Sequence, residues 1–201
     1  MKSLIKLSIL TFCLTLLNCK NEEKSFNDFK FVTDESLLTC NDLDTKLYEE
    51  AMLSFENDIN NTYQIKNSNH RRAYSLFTKD AMANTVNYKE LVSPHTMAVF
   101  EALKKDKNLW NQDNSLNYKA PIFNCLANNF KNKDLQTTFK ALVSTNSMRS
   151  DIFRTPLLNH VKNSIADRYM ATYVALDFFY VNLFNVDPTT LTEKTEPKAA
   201  E

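Results

Sequence analysis

The feature that most limits how this chain can fold is the absence of glycine from all 201 residues. Average usage near 7 per cent would give about fourteen glycines. Phosphate-binding loops, the G-x-G-x-x-G turn and the G-x-S-x-G elbow all need glycine, because their backbone takes positive φ or approaches a ligand closely. The composition therefore excludes these three kinds of site, and it argues against a β-rich fold with many tight hairpins.

Asparagine is the residue that can replace glycine at the ends of helices. It tolerates the left-handed conformation better than most residues that carry a side chain. The chain contains 24 asparagines. We therefore predict that helices in this protein end at asparagine.

Apolar residues recur at helical spacing along most of the chain, which predicts an all-α fold. In the first long helix the apolar residues follow one another every four positions, from Leu43 to Ile59. Ser93-Pro94 marks another helix start, because serine caps a helix and proline fits its first turn. The predicted helices cover about 41–65, 69–86, 93–103, 121–130, 134–144 and 156–185, with loops at 108–118 and 145–154.

The last predicted helix is the longest, and it organises the rest. Thr155-Pro156 predicts its start, and helical spacing continues to about Asn185. Its second half, Tyr169 to Phe184, is apolar on nearly every face, so it must be buried by other helices or by lipid. Sixteen residues that include an aspartate fall short of a membrane span. We predict a single irregular bundle of about six helices around this C-terminal helix.

The N-terminus has the layout of a secretory signal. Lys2 and Lys6 give a basic start, and Leu7 to Leu17 carry no charge. The stretch is too short to span a bilayer, which needs about 20 apolar residues. No A-x-A-like triplet for ordinary signal cleavage occurs between Leu7 and Phe26.

The apolar run ends in Leu16-Leu17-Asn18-Cys19, which resembles the lipobox of bacterial lipoproteins. The resemblance implies that Cys19 is lipidated, becomes the first residue of the mature chain and anchors it to a membrane. The charged stretch Lys20 to Lys24 is similar to the signals of surface-displayed lipoproteins of Bacteroidota, and it also fits a solvated linker. An uncleaved signal anchor and a soluble secreted form are the alternatives to lipidation.

The domain organisation follows from these segments and from a polar C-terminus rich in Thr, Glu, Lys and Pro. The length allows one domain with a core of its own. The predicted segments are a signal peptide at 1–18, a lipidated tether at 19–33, a helical domain at 34–186 and a disordered tail at 187–201.

Two of the four cysteines remain in the mature domain under this interpretation. Cys13 lies in the signal and Cys19 carries lipid, which leaves Cys40 and Cys125 as a pair in an oxidising compartment. A bridge between them closes a long loop, worth up to about 4 to 5 kcal/mol by loop-closure entropy. We expect a disulfide, with two free buried thiols as the alternative.

Charge and histidine content point away from nucleic acids, metals and cofactors. Without residues 1–18 the chain carries 22 basic and 24 acidic residues, so it lacks the basic excess of a nucleic-acid-binding protein. His70, His95 and His160 form neither an H-E-x-x-H motif nor a Glu-x-x-His pair. We expect no metal, no cofactor, no nucleic acid and no catalytic residue, although a dispersed Ser-His-Asp triad has no signature in one sequence.

Asp177 is the polar residue of the apolar helix that most needs an explanation. Burying a carboxylate without partners costs several kcal/mol or raises its pKa until the group is neutral. Tyr169, Tyr173, Asp177 and Tyr180 follow one another at spacings of four, four and three. Their hydroxyls can therefore lie beside the acid or line a ligand pocket with it.

The surroundings of Asp177 allow two interpretations. In the first it belongs to a ligand pocket or handles a proton. In the second it is a structural acid that a tyrosine or an arginine of a neighbouring helix satisfies. Arg149, Arg154 and Arg168 are the candidate counter-ions.

These features predict a cell-envelope lipoprotein, anchored to the outer membrane or displayed at the cell surface, that binds or scaffolds another envelope protein without catalysis. One alternative is an envelope enzyme of hydrolase type, with a cleft where Asp177, a histidine such as His160 and an arginine converge. The other is a carrier with an apolar cavity beside the tyrosines. A scaffold predicts an exposed apolar patch instead.

Lipidation can be tested by labelling. Replacing the cysteine in Cys19→Ala should abolish incorporation of radioactive palmitate and release the protein from the membrane, because the thiol is the attachment point. Cys13→Ala, inside the predicted signal, is the matched control and should label like the wild type. Persistent labelling of Cys19→Ala would show that the lipobox assignment is wrong.

Overall fold

The computed structural model of the chain describes residues 26–63, 70–163 and 166–191. Within these ranges the protein is all-α, with eight α-helices and no strand beyond one isolated bridge between Trp110 and Leu116. The all-α prediction is confirmed. The predicted signal peptide, Cys19 and the first part of the predicted tether lie outside the described residues.

The helices are short, and within the described ranges they number eight where about six were predicted, because Tyr88–Leu91 lies outside every predicted helix and the last predicted helix is divided. The α-helices are α1 (Lys46–Thr62), α2 (His70–Met82), α3 (Tyr88–Leu91), α4 (Pro94–Leu103), α5 (Pro121–Asn129), α6 (Lys133–Ser144), α7 (Ser150–Leu158) and α8 (Arg168–Val174). After α8 the chain continues directly into a π-helical turn, Ala175–Phe179, and a 3₁₀ helix, Tyr180–Asn185. Two more 3₁₀ turns are Val161–Asn163 and Pro188–Thr190.

The core is built around α1 and the segment formed by α8 and the π turn. Every residue from Met170 to Tyr180 is buried, as predicted for a helix that is apolar on all sides. Phe55 of α1 packs its ring against Phe77 at 4.9 Å and against Phe179 at 5.2 Å. Among the described residues, no helix combines the length and the apolar character that crossing a bilayer requires.

Asparagine ends two helices in the left-handed conformation, as the missing glycine predicts. Asn84 follows α2 with φ of 53°, and Asn146 follows α6 with φ of 53°. The amide of Ser147 donates to the carbonyl of Leu142, while the amide of Asn146 donates to that of Val143. This pair of bonds is the Schellman motif, which ordinarily uses glycine.

The predicted continuous helix over 156–185 is wrong, because the structure divides that stretch. Helix α7 begins at Ser150, inside the predicted 145–154 loop, and ends at Leu158. Pro156 is therefore an internal residue of α7 and not its first turn. Asp167 starts α8 by accepting a hydrogen bond from the Met170 amide at 3.2 Å. Apolar spacing runs through both helices, and spacing alone does not show a break between them.

The N-terminal segment is held on α1 by two neighbouring buried acids. Glu49 accepts hydrogen bonds from the amides of Leu37 and Leu38 and from the Ser36 hydroxyl. Glu50, fully buried, accepts from the amides of residues 30, 31 and 32 and contacts His95 Nε2 at 2.6 Å. The end of the predicted 19–33 tether is therefore held on the domain by directed hydrogen bonds.

Cys40 and Cys125 lie at disulfide distance, with their Cα atoms 5.6 Å apart. This separation is within the usual range for a bridge. The pair joins the segment before α1 to α5. At the other end of the chain, the 3₁₀ turn Pro188–Thr190 and Leu191, which packs on the core, are structured although they fall within the predicted disordered tail. The remainder, 192–201, lies outside the described residues.

The contacts of Glu50 predict a stability that depends on pH. Burial raises the pKa of Glu50, but the hydrogen bonds from residues 30–32 and from His95 outweigh it, so the pKa is lowered overall. A lowered pKa in the folded state stabilises the fold above the unfolded value near 4.5, and this contribution is lost as pH falls through the folded-state value.

Glu50→Gln should therefore reduce the free energy of unfolding at pH 7 by about 1.5 to 3 kcal/mol, the size of hydrogen bonds to a charged group. The difference from the wild type, measured by urea unfolding, should shrink as the pH is lowered below about 4.5. Glu101→Gln, at an exposed acid on α4, should change stability by less than about 1 kcal/mol. A Glu50→Gln difference that stays constant from pH 7 to below the ordinary glutamate pKa would contradict this assignment.

Candidate functional site

Asp177 lies in the middle of the π turn, where it is 2 % exposed. Its Oδ1 accepts a hydrogen bond from the Tyr118 hydroxyl at 2.5 Å, and its Oδ2 accepts one from the Tyr173 hydroxyl at 3.1 Å. Both carboxyl oxygens therefore have a phenol partner, one from its own helix and one from the loop before α5. Isolated π turns inside helices are frequent at functional sites.

The π turn has its own set of supporting contacts. The carbonyl of Phe178 accepts hydrogen bonds from the Tyr88 hydroxyl at 2.8 Å and from the Asn182 side chain at 2.9 Å. A wider turn leaves carbonyls off the regular helical ladder, and these side chains satisfy one of them. The irregular backbone that carries Asp177 is thus held in place from two sides.

Of the three tyrosines predicted beside Asp177, only Tyr173 contacts it. Tyr169 lies two turns away, about 12 Å along a helix, and its hydroxyl accepts a hydrogen bond from the Thr39 amide at 3.1 Å. Tyr180 lies beyond the π turn, which changes the face of the following residues, and its hydroxyl donates to the Ala51 carbonyl at 2.9 Å. The predicted four-residue ridge therefore does not form a single site.

Tyr118, which the sequence analysis missed, makes the shorter hydrogen bond to Asp177. It stands at the end of the predicted 108–118 loop, and its ring packs against Phe123 at 4.9 Å. The Asn117 side chain closes the loop by donating to the Asn108 carbonyl at 2.8 Å. Trp110 ties the loop to α4 through a hydrogen bond to the Leu103 carbonyl. No spacing in the sequence relates position 118 to 177.

Burial dominates the electrostatics of Asp177 and raises its pKa above the ordinary value. The hydrogen bond from Tyr118, the positive charge of Arg154 and the hydrogen bond from Tyr173 act in the opposite direction and favour the ionised form. Burial also raises the pKa of the Tyr118 and Tyr173 hydroxyls, and the negative charge of Asp177 raises both further. The phenols therefore stay protonated and act as donors.

The three candidate counter-ions have different roles. Arg168 pairs with Glu56 through both terminal nitrogens at 2.9 Å, and Arg149 pairs with Asp151 at the surface. Arg154 acts on Asp177 through its charge, without a hydrogen bond to it. Its guanidinium lies 4.9 Å from the centre of the Phe178 ring. Arg154 is therefore the counter-ion that belongs to this site.

A cavity of about 680 Å³ opens beside Asp177. Its walls come from the loop before α5, the end of α6, the start of α7 and the π segment. The lining residues are Asn111, Ser115, Leu116, Asn117, Tyr118, Lys119, Val143, Asn146, Met148, Arg149, Asp151, Arg154, Asp177 and Val181. A second cavity of about 110 Å³, which includes Tyr88 and Asn182, also has Arg154 in its wall.

The cavity can be compared with the three predicted functions. It brings Asp177 and two arginines together, but none of His70, His95 and His160 is in its lining. Its walls are mixed polar and apolar, unlike the apolar cavity that the carrier hypothesis predicts. Among the described residues, Ile152 is the one exposed large apolar side chain, whereas a scaffold predicts an apolar patch. The same residues contain no group of three or more possible metal ligands.

The hydrogen bond from Tyr118 to Asp177 can be tested against that of a tyrosine outside the site. Tyr118→Phe should lower the free energy of unfolding at pH 7 by about 1 to 3 kcal/mol, because a buried carboxyl loses its closer donor. Tyr169→Phe is the matched control, since its hydroxyl bonds to exposed backbone, and it should cost less than about 1 kcal/mol. Equal losses of unfolding free energy in the two variants would show that the hydrogen bond from Tyr118 to Asp177 stabilises the fold no more than the one from Tyr169.

Comparison with known proteins leaves the site to be interpreted from its own chemistry. No protein-family model, no curated protein and no solved structure matches this chain.

Proposed function

We propose that this protein is a membrane-anchored lipoprotein of the bacterial envelope whose helical domain binds a small molecule in the cavity beside Asp177, without transforming it. The observation that carries the proposal is the cavity itself. Its volume of about 680 Å³ is within the range of small-molecule sites, which is about 300 to 1,000 Å³. Such sites combine apolar walls with a few convergent polar groups, as this one does.

The composition of the walls supports specific binding over a packing defect. Apolar contact comes from half-buried or buried residues, among them Leu116, Val143 and Met148. Polar contact comes from Arg154 and from the phenol and carboxyl groups around Asp177. A buried acid with a raised pKa inside a cleft is a common mark of a functional site.

Binding is the better supported function because none of the three histidines lines the cavity as a candidate general base. A general base must lie within hydrogen-bond reach of the nucleophile that it activates. The ring nitrogens of His95 contact Glu50 and Asp28, and His160 lies beside Asn132, both away from this lining. The expected docking of another envelope protein stays a prediction, and Ile152 is the one large apolar side chain that is exposed in the described part of the chain.

The proposed anchor and the proposed site belong to one arrangement. Six residues separate Cys19 from Phe26, where the described chain begins, so the seven steps between them reach at most about 25 Å at 3.3 to 3.6 Å per residue. Lipid at Cys19 would therefore hold the domain close to the membrane surface. We propose the outer membrane, facing either the periplasm or the exterior, and a role in retaining a molecule at that surface.

The binding function can be tested by filling the cavity. Val143→Trp places an indole from α6 into the site, and native mass spectrometry of the full-length protein extracted from membranes should show the loss of a bound small molecule that the wild type carries. Ala141→Trp puts the same side chain on an exposed position of the same helix and should keep the ligand. The melting temperature of both variants shows whether they remain folded.

Two results would contradict the binding function. One is a wild-type protein that carries no small molecule when extracted from the cells that make it. The other is a bound mass that persists in folded Val143→Trp, since the ligand would then lie elsewhere.

A further inference from the structure

We propose that the ligand carries an oxyanion, either a carboxylate or a phosphate group, and that Arg154 binds this group. The proposal rests on the binding function proposed above. Arg154 lines both cavities beside the π turn. Both oxyanions accept the planar, two-pronged set of donors that arginine offers.

The donors of Arg154 lack acceptors within the described part of the chain. Its Nε is buried without a hydrogen-bond partner there. The other arginines of the region are paired, Arg149 with Asp151 and Arg168 with Glu56. A buried donor of a charged group that has no acceptor is unfavourable, more so than a neutral one. A bound oxyanion in the cavity would offer the guanidinium an acceptor that no described residue provides.

The position of Arg154 suits a ligand that approaches from the cavity. Its guanidinium stacks on Phe178 at 4.9 Å, and Phe178 is 1 % exposed and fixed in the core. Stacking uses the face of the guanidinium and leaves the N–H groups at its edge available. Arginine is thus held in place before the ligand arrives, which reduces the entropy lost on binding.

Asp177 does not neutralise Arg154 directly. Its two oxygens accept hydrogen bonds from Tyr118 and Tyr173, and no ion pair joins it to the arginine among the described residues. Burial raises the pKa of Asp177 and so weakens its negative charge. The arginine keeps its attraction for an external anion while the acid stays satisfied by the phenols.

The charge of the lining favours an anion over a cation. Three cationic residues line the cavity, Lys119, Arg149 and Arg154, against the acids Asp151 and Asp177. Asp151 is occupied by Arg149 at the rim. A cationic ligand would meet Lys119 and Arg154 with only a buried, doubly hydrogen-bonded carboxyl to attract it, whereas an anion meets two cations. The surplus is positive whichever form Asp177 takes.

The test is calorimetric titration of the full-length protein in detergent with three probes at equal ionic strength: glutarate for a carboxylate, inorganic phosphate for a phosphate and putrescine for a cation. Glutarate or phosphate should bind, and the tighter of the two identifies the group. Arg154→Met, which keeps an unbranched apolar stem, should weaken that binding at least about tenfold. Arg154→Lys keeps the charge without the fork and should give an intermediate loss.

Arg71→Met is the matched control, because this arginine is exposed on α2 and outside both cavities, and it should bind like the wild type. Wild-type protein that binds neither anion, or binds putrescine more tightly, overturns the proposal, as does unchanged binding in Arg154→Met. If Arg154→Met does not fold, the affinity of Arg154→Lys for the same anion is measured instead, and an affinity equal to that of the wild type overturns the proposal.

The failure of this inference differs from a failure of the binding function. A small molecule that co-purifies with folded Arg154→Met and is lost from Val143→Trp shows a binding site without oxyanion recognition. If wild-type protein carries no bound molecule, the proposed binding function itself is wrong.

Discussion

The complete burial of α8 and its π turn is the constraint on which the rest of the structure depends. A stretch that is apolar on every side can be stable in water only when neighbouring helices cover it, and here every residue from Met170 to Tyr180 is buried. Helix α1 provides much of that cover through Phe55 and its neighbours. The other short helices and the loops between them cover the remaining faces of this segment.

The packing around this segment also accounts for the hydrogen bonds of the buried carboxyl group of Asp177 and for the cavity beside it. Asp177 would be strongly unfavourable in an apolar interior, and the two phenols of Tyr118 and Tyr173 compensate for the lost water. Tyr118 reaches it from the loop before α5, so this loop must stay close to the π turn. The cavity between this loop, α6, α7 and the π turn is lined by polar groups that include Arg154. The packing around Asp177 therefore leaves a space with polar walls.

The N-terminal segment connects the proposed anchor with this core. Glu50 accepts hydrogen bonds from the backbone amides of residues 30, 31 and 32, and Glu49 accepts them from those of residues 37 and 38. This segment therefore packs on α1 through charge-assisted hydrogen bonds to buried carboxylates. The Cys40 and Cys125 pair then ties the following turn to α5.

Periodicity and composition were sufficient for the all-α class, for the buried C-terminal segment and for asparagine at the left-handed ends of α2 and α6, because these properties depend on neighbours a few residues apart. The position of Tyr118 against Asp177, the separation of α7 from α8 and the unpaired donors of Arg154 depend on contacts between distant segments, which no local pattern records. The π turn shows the difference most clearly. Regular spacing placed Tyr169, Tyr173 and Tyr180 around one acid, but a single widened turn and the length of the helix leave only Tyr173 there.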